Sequence, residues 1–216
     1  MSTVESWPER IPLDGEVDFT MMYAAHDAFT RDLGRLTEGS AGGVFPLRTL
    51  AIWETFRHQL HVHHTVEDEA LWPPLRAAVT AEAETDVLDA MELEHAQIEP
   101  ELEQLDAAVA DRDAKRFNAH VRALATNLGA HMRHEENTAL PLVEKYLGSA
   151  GWAAFGAHIR KTQGGLRGGA AYLPWVLDGA SAETTRTILA LLPPPARLLY
   201  RRVWVPRYAT RHQPDA

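Results

Sequence analysis

The chain has 216 residues, 45% of them hydrophobic, and a formal net charge of −9: enough apolar material for one main globule, and the wrong sign for non-specific binding to nucleic acid. It contains no cysteine, which excludes disulfides, thiolate metal ligation and cysteine nucleophiles, so any metal must sit on nitrogen and oxygen. Met1–Thr20 holds no apolar core of signal-peptide length, and no run of eighteen apolar residues occurs, so a cytoplasmic protein without a spanning helix is the expectation.

In chain order, four segments show apolar spacings of three and four, the period of an amphipathic helix. The first carries Phe19, Met22, His26, Phe29, Leu33 and Leu36, and ends near Gly39-Ser40. The second starts near Pro46 and carries Leu50, Trp53, Phe56, Leu60, His63, Glu67 and Leu71, with a kink or stop at Pro73-Pro74. The third starts near Thr85 and carries Leu88, Met91, His95, Ile98, Leu102, Leu105 and Val109. The fourth follows Asp111-Arg112-Asp113, carries Phe117, Val121, Leu124, Leu128, His131, Glu135 and Leu142, and closes at Gly148. Such lengths with short connections predict an all-α, up-down-up-down four-helix bundle over residues 18–148.

Residues 149–216 read as a C-terminal helical extension packed on that bundle. It begins with a short helix through Trp152, Phe155 and Ile159, followed by a flexible connection at Gly164-Gly165 and Gly168-Gly169. Ser181 is the expected N-cap of a helix through Leu192, stopped by Pro193-Pro194-Pro195. The stretch from Ala196 to Arg211 mixes aromatic and basic residues, as in an amphipathic helix laid across the bundle. An anionic membrane surface is a less favoured partner for it, and a homodimer contact through Tyr200, Trp204 and Tyr208 lies between the two readings.

The ligand pattern is duplicated. His63-x-x-x-Glu67 and His131-x-x-x-Glu135 stand 68 positions apart, and each follows a lone upstream histidine, His26 by 37 positions and His95 by 36. Residues at i and i+4 share a helix face, so each repeat aims an imidazole and a carboxylate at one point. Every one of these six lies within an apolar stripe, where unpartnered glutamates would cost several kcal/mol each or be forced to protonate. A metal supplies the missing positive charge. With Glu67 and Glu135 bridging, one metal takes His26 and His63 and the other His95 and His131. Imidazole suits iron, copper, zinc and nickel, carboxylates can bridge two cations, and the absence of thiolate removes iron–sulfur clusters; the best reading is a pair of non-haem irons with an oxo or hydroxo bridge, able to meet dioxygen, peroxide or nitric oxide.

The segments His63–Pro73, Glu94–Ile98 and His131–Pro141 resemble the hemerythrin-like (HHE cation-binding) domain, and the resemblance spans roughly Asp18 to Leu147. It implies a four-helix bundle around a di-iron centre, with His26, His63, Glu67, His95, His131 and Glu135 at ligand positions. Oxygen-carrying members have a further histidine four residues before the one matching His95, and here that position is Met91. The four-His, two-Glu set resembles instead members linked to iron-centre repair, nitric oxide and oxidative stress. The chain lacks the cysteine-bearing N-terminal domain of the repair proteins among them.

Other polar candidates carry lesser expectations. His58, His61 and His64 are expected to turn away from the stripe as a solvated or rim-facing cluster, with His64 and Asp68 as a competing register for the ligand pair. Glu99 reads as a surface residue beside Pro100, and His134 as outside the site, while nothing decides between outer-shell and surface roles for His120 and His158. Three functions share these ligands: an oxygen-activating or peroxide-decomposing oxidoreductase, a non-catalytic sensor or store of iron, oxygen or nitric oxide, and a small-molecule oxidase or oxygenase of specialised metabolism.

Overall fold

The computed structural model describes Leu13 and residues 15–212; the leader reading of residues 1–12 lies outside them. The chain folds as an all-α bundle, and no strand occurs among the described residues. Helix α1 (Thr20–Ser40) is followed by α2 (Leu47–Ala70) and a short α3 (Trp72–Ala78). Pro73 and Pro74 end α2 in the way their missing N–H groups dictate, and they occupy the first turn of α3, where no such donor is needed. Helix α4 (Glu82–Ala110) begins one turn before the sequence expectation and runs through Pro100. Helix α5 (Ala114–His134) starts where Asp113 accepts the Arg116 backbone N–H, 3.0 Å away. In the bundle α1 packs on α2 and α5, and α4 packs on α5 and, less closely, on α2.

The fourth stripe is not one regular helix. After His134 the backbone passes through a π turn, Glu135–Ala139, a short α6 (Leu140–Leu142) and a second π turn, Val143–Leu147. It closes at Gly148, whose φ of 56° suits a residue without Cβ. A π turn holds more residues than an α turn, so neighbouring side chains are separated by a smaller angle about the axis. Glu135 and Glu136 open the first of these turns.

Beyond the bundle lie α7 (Gly148–Thr162), α8 (Gly165–Val176), α9 (Ala182–Ala190), α10 (Pro194–Leu199) and α11 (Val205–His212), with a π turn at Tyr200–Trp204. Ser181 caps α9 through the Thr184 N–H at 3.0 Å, as its position predicts. The expected flexible connection at the glycine pairs is instead the start of α8. A Cβ on Gly168 would stand 1.3 Å from the Gln163 carbonyl oxygen, so glycine here permits a close backbone approach rather than freedom.

The extension shares the bundle's core: Trp175, Ile188, Tyr200 and Trp204 bury against residues of α1 and α2. Tyr200 and Trp204 therefore face inward, and Tyr208 donates to Asp178 at 3.2 Å, so the aromatic side chains expected at a dimer contact are engaged within the chain. Asp32, buried on α1, accepts from the Trp175 indole at 2.8 Å and pairs with Arg31 at 2.9 Å. One apolar cluster gathers Phe29, Phe56, Ile98 and Leu128, and a second gathers Met22, Val66, Met91 and Ala139. The polar layer of histidines and glutamates falls between these clusters.

Candidate metal centre

Four helices and the π turn bring the six sequence-derived residues together. From α1, His26 Nε2 lies 3.3 Å from His63 Nε2 of α2 and 3.2 Å from Glu135 Oε2. From α4, His95 Nε2 lies 3.1 Å from His131 Nε2 of α5. Glu67 spans the two halves: its Oε1 is 3.2 Å from His63 Nε2 and its Oε2 is 3.7 Å from His95 Nε2. His26, Glu67, His95, His131 and Glu135 are buried, and His63 nearly so. Two groups of ligand atoms result, one of His26, His63 and Glu135, the other of His64, His95 and His131, each within 4.8 Å of one another.

The second group corrects one expectation. His64 does not turn out to solvent; its ring stacks on His95 with centroids 4.0 Å apart, and its Nε2 is buried without a hydrogen-bond partner. One residue along a helix turns the side chain by about 100°. That rotation carries His64 from the α1-facing side of α2 to the α4-facing side. The competing register is resolved in both directions, because Glu67 points into the layer while Asp68 turns to α4.

Three histidines are held from behind by carboxylates. His26 Nδ1 bonds Glu136 at 2.7 Å, His95 Nδ1 bonds Asp68 at 2.8 Å, and His131 Nδ1 bonds Glu94 at 2.8 Å. With the carboxylate on Nδ1, each ring turns Nε2 inward, the arrangement that fixes a metal-ligating imidazole. Glu94 also accepts from His134 Nδ1 at 2.8 Å, which puts His134 outside the donor layer, as expected, but braced to it. Sequence reasoning passed over these carboxylates. Their signal was present, since an acid follows the ligand glutamate in both repeats, Asp68 and Glu136, and Glu94 directly precedes His95. His158 lies at the surface beside Glu69, 3.3 Å away.

The electrostatics describe a layer built for positive charge. All four oxygens of Glu67 and Glu135 are buried without a hydrogen-bond partner, at 0% exposure for both residues. Burial, then the charges of Glu135 and Asp68, pushes the Glu67 carboxyl well above the usual carboxylate range. Burial and neighbouring imidazoles hold His63 and His64 well below the usual histidine value, which keeps their lone pairs free. Burial also disfavours the His26 imidazolium, but Glu135 and Glu136 outweigh it and lift its pKa to about 9. Two buried carboxylates with unsatisfied oxygens, ringed by imidazole nitrogens of which those of His63 and His64 are held neutral, fit divalent or trivalent cations. Tyr172 of α8 comes near enough for the Glu67 charge to add to the effect of burial in raising its hydroxyl's pKa.

The family model for the hemerythrin HHE cation binding domain matches residues 17–143, more than half of the chain, and the chain belongs to that family. No curated protein and no solved structure matches it. Cation binding follows from the family and from the two donor groups.

Proposed function

We propose that the chain is a non-haem di-iron protein that reacts with or binds dioxygen, peroxide or nitric oxide in a redox or stress role. The observation that carries the reading is Glu67, whose two unpartnered oxygens face the two halves of the imidazole layer separately. Its ligands are His26 and His63 for one iron and His95 and His131 for the other, with Glu67 and Glu135 between them. Iron in this setting supplies redox chemistry and Lewis acidity. The residues supply the rest: Glu136, Asp68 and Glu94 orient the imidazoles, and the apolar clusters on either side exclude water. His64 brings a fifth imidazole beside His95 and His131.

The test is anaerobic reconstitution of the purified chain with ferrous iron, followed by separate exposure to oxygen, peroxide and nitric oxide with spectra recorded. About two irons per chain and near-ultraviolet bands of a bridged ferric pair are expected. Zinc alone at one equivalent, after expression with ample iron, would refute the reading.

A sensor is the second reading, favoured by one contact path. The His63 ring lies 5.3 Å from Phe29, and Phe29 lies 5.0 Å from Trp175 of the extension. A change at the metal layer would reach α8 through two rings. The oxidase reading is favoured less, because the cleft beside the layer is lined largely by imidazoles and carboxylates, with few apolar side chains. A cytoplasmic location remains part of this proposal; no described helix is long and apolar enough to cross a membrane.

A further inference from the structure

The donor layer lies between the two apolar clusters, and a metal ion must reach it from the side. Beside it the seam between α2 and α4 opens into two adjoining clefts of ≈ 450 Å³ and ≈ 520 Å³. His61, Glu99 and Leu102 line both, so the clefts form one groove. Its outer part reaches His58 and its inner part reaches His64 and His95.

His58, His61 and His64 stand three residues apart along one side of α2, a row spanning about 9 Å at the helical rise. Exposure falls along the row: His58 and His61 are exposed, His64 is half-buried and His95 beyond it is buried. Across the groove, Glu99 sits one turn after His95, and Pro100 removes the N–H that would bond the Ala96 carbonyl in the groove wall. The groove's other acids are engaged: Asp68 with His95, Glu92 with Arg76, Asp106 with Trp53 and Arg57, and Glu54 with Arg211. Among the described residues, His58, His61 and Glu99 make no hydrogen bond or ion pair. At the inner end, His64 Nε2 is likewise unpartnered.

We propose that this groove delivers divalent metal to the buried centre: His58, His61 and Glu99 take the ion from solvent, and His64 passes it to His95 and His131. The proposal rests on the two-metal reading above. A hydrated cation has to exchange its waters for protein donors before it can enter a closed site, and a graded row of imidazole and carboxylate lets it do so stepwise. His58, His61 and Glu99 belong to no tight three-donor group among the described residues, as transit requires, since a strong site at the groove's outer part would trap the ion.

The experiment uses the full-length chain stripped of metal, mixed anaerobically with ferrous iron at low micromolar concentration. Loading is followed in samples drawn anaerobically by measuring the ferrous iron left unbound with a chromogenic chelator, with final iron content measured separately. Variants are His61→Gln, Glu99→Gln and the triple with His58→Gln; a charge control carries His120→Gln, His158→Gln and Glu103→Gln. The triple variant should load about tenfold more slowly at unchanged final iron content and spectrum, while the control loads as wild type. Loading of the triple variant at the wild-type rate would overturn the proposal. So would a lowered final content, which would make these residues permanent ligands, or an equal slowing in the control, which would reduce the effect to net charge. Failure of the wild type to take up any iron would overturn the two-metal reading and this one with it, an outcome visible before any variant is compared.

Discussion

Replacing Glu67 with leucine should change the stability of the metal-free and metal-loaded protein in opposite directions. Without metal, Glu67 is a fully buried carboxyl whose two oxygens have no hydrogen-bond partner. An unsatisfied buried polar group costs about 1–3 kcal/mol, and an apolar side chain of similar size removes that cost. For a chain of this size each kcal/mol moves Tm by roughly 2–4 °C, so metal-free Glu67→Leu should melt roughly 2–12 °C above metal-free wild type. Metal present at a thousandfold excess over Kd stabilises by about 4 kcal/mol, or roughly 8–16 °C. The variant should lose most of that increment, because Glu67 faces both halves of the layer. The assay is thermal unfolding of chelator-treated and iron-loaded samples of both proteins, with iron content measured in parallel. A metal-free variant that melts below metal-free wild type would refute the argument, since Glu67 would then be holding the fold and not waiting for a cation.

Removing a brace should loosen metal and spare the fold. Asp68→Asn and Glu94→Gln should each lower iron affinity by about 10- to 100-fold, measured by competition with a chelator, and leave the metal-free melting temperature nearly unchanged. Metal-free protein should show a pH optimum. The raised His26 pKa stabilises fully below about 6.5 and is lost as pH rises through about 9, whereas the lowered His63 and His64 values stabilise above about 6.5 and are lost as pH falls. Melting temperatures from pH 5 to 10 should therefore fall at both ends, and Glu136→Gln should weaken the alkaline fall; a monotonic profile would contradict the assignment. Gly168→Ala should cost more than about 1 kcal/mol, because its Cβ collides with the Gln163 carbonyl, and unchanged thermal stability would disprove that contact.

The six inward-facing residues were legible because helical period alone decides which side chains share a face, and a duplicated spacing repeats that decision. The stripe argument failed at His64. Periodicity assigns it to the side of α2, but only the packing of α4 against α2 reveals that this side borders the layer. The π turn at Glu135–Ala139 was not legible either, because it begins after the i, i+4 pair and leaves the spacing of that pair intact. At Gly164–Gly169 composition pointed the wrong way: glycine marks flexibility when nothing approaches it and a tight contact when something does, and sequence cannot tell which.

The carboxylate braces cross between the two repeats. Asp68, at the end of the first hairpin, steadies His95 at the start of the second, and Glu136, its counterpart 68 positions later, steadies His26 at the start of the first. Each hairpin thus carries the acid that its partner's leading histidine needs and lacks the one for its own. The two halves are reciprocal, related by an approximate two-fold exchange, and neither is a finished half-site in isolation. A chain cut in the linker between Ala78 and Glu82 would yield two fragments that complete each other only by reassembling, so that metal would raise the affinity of one hairpin for the other by the same factor by which reassembly raises the affinity for metal.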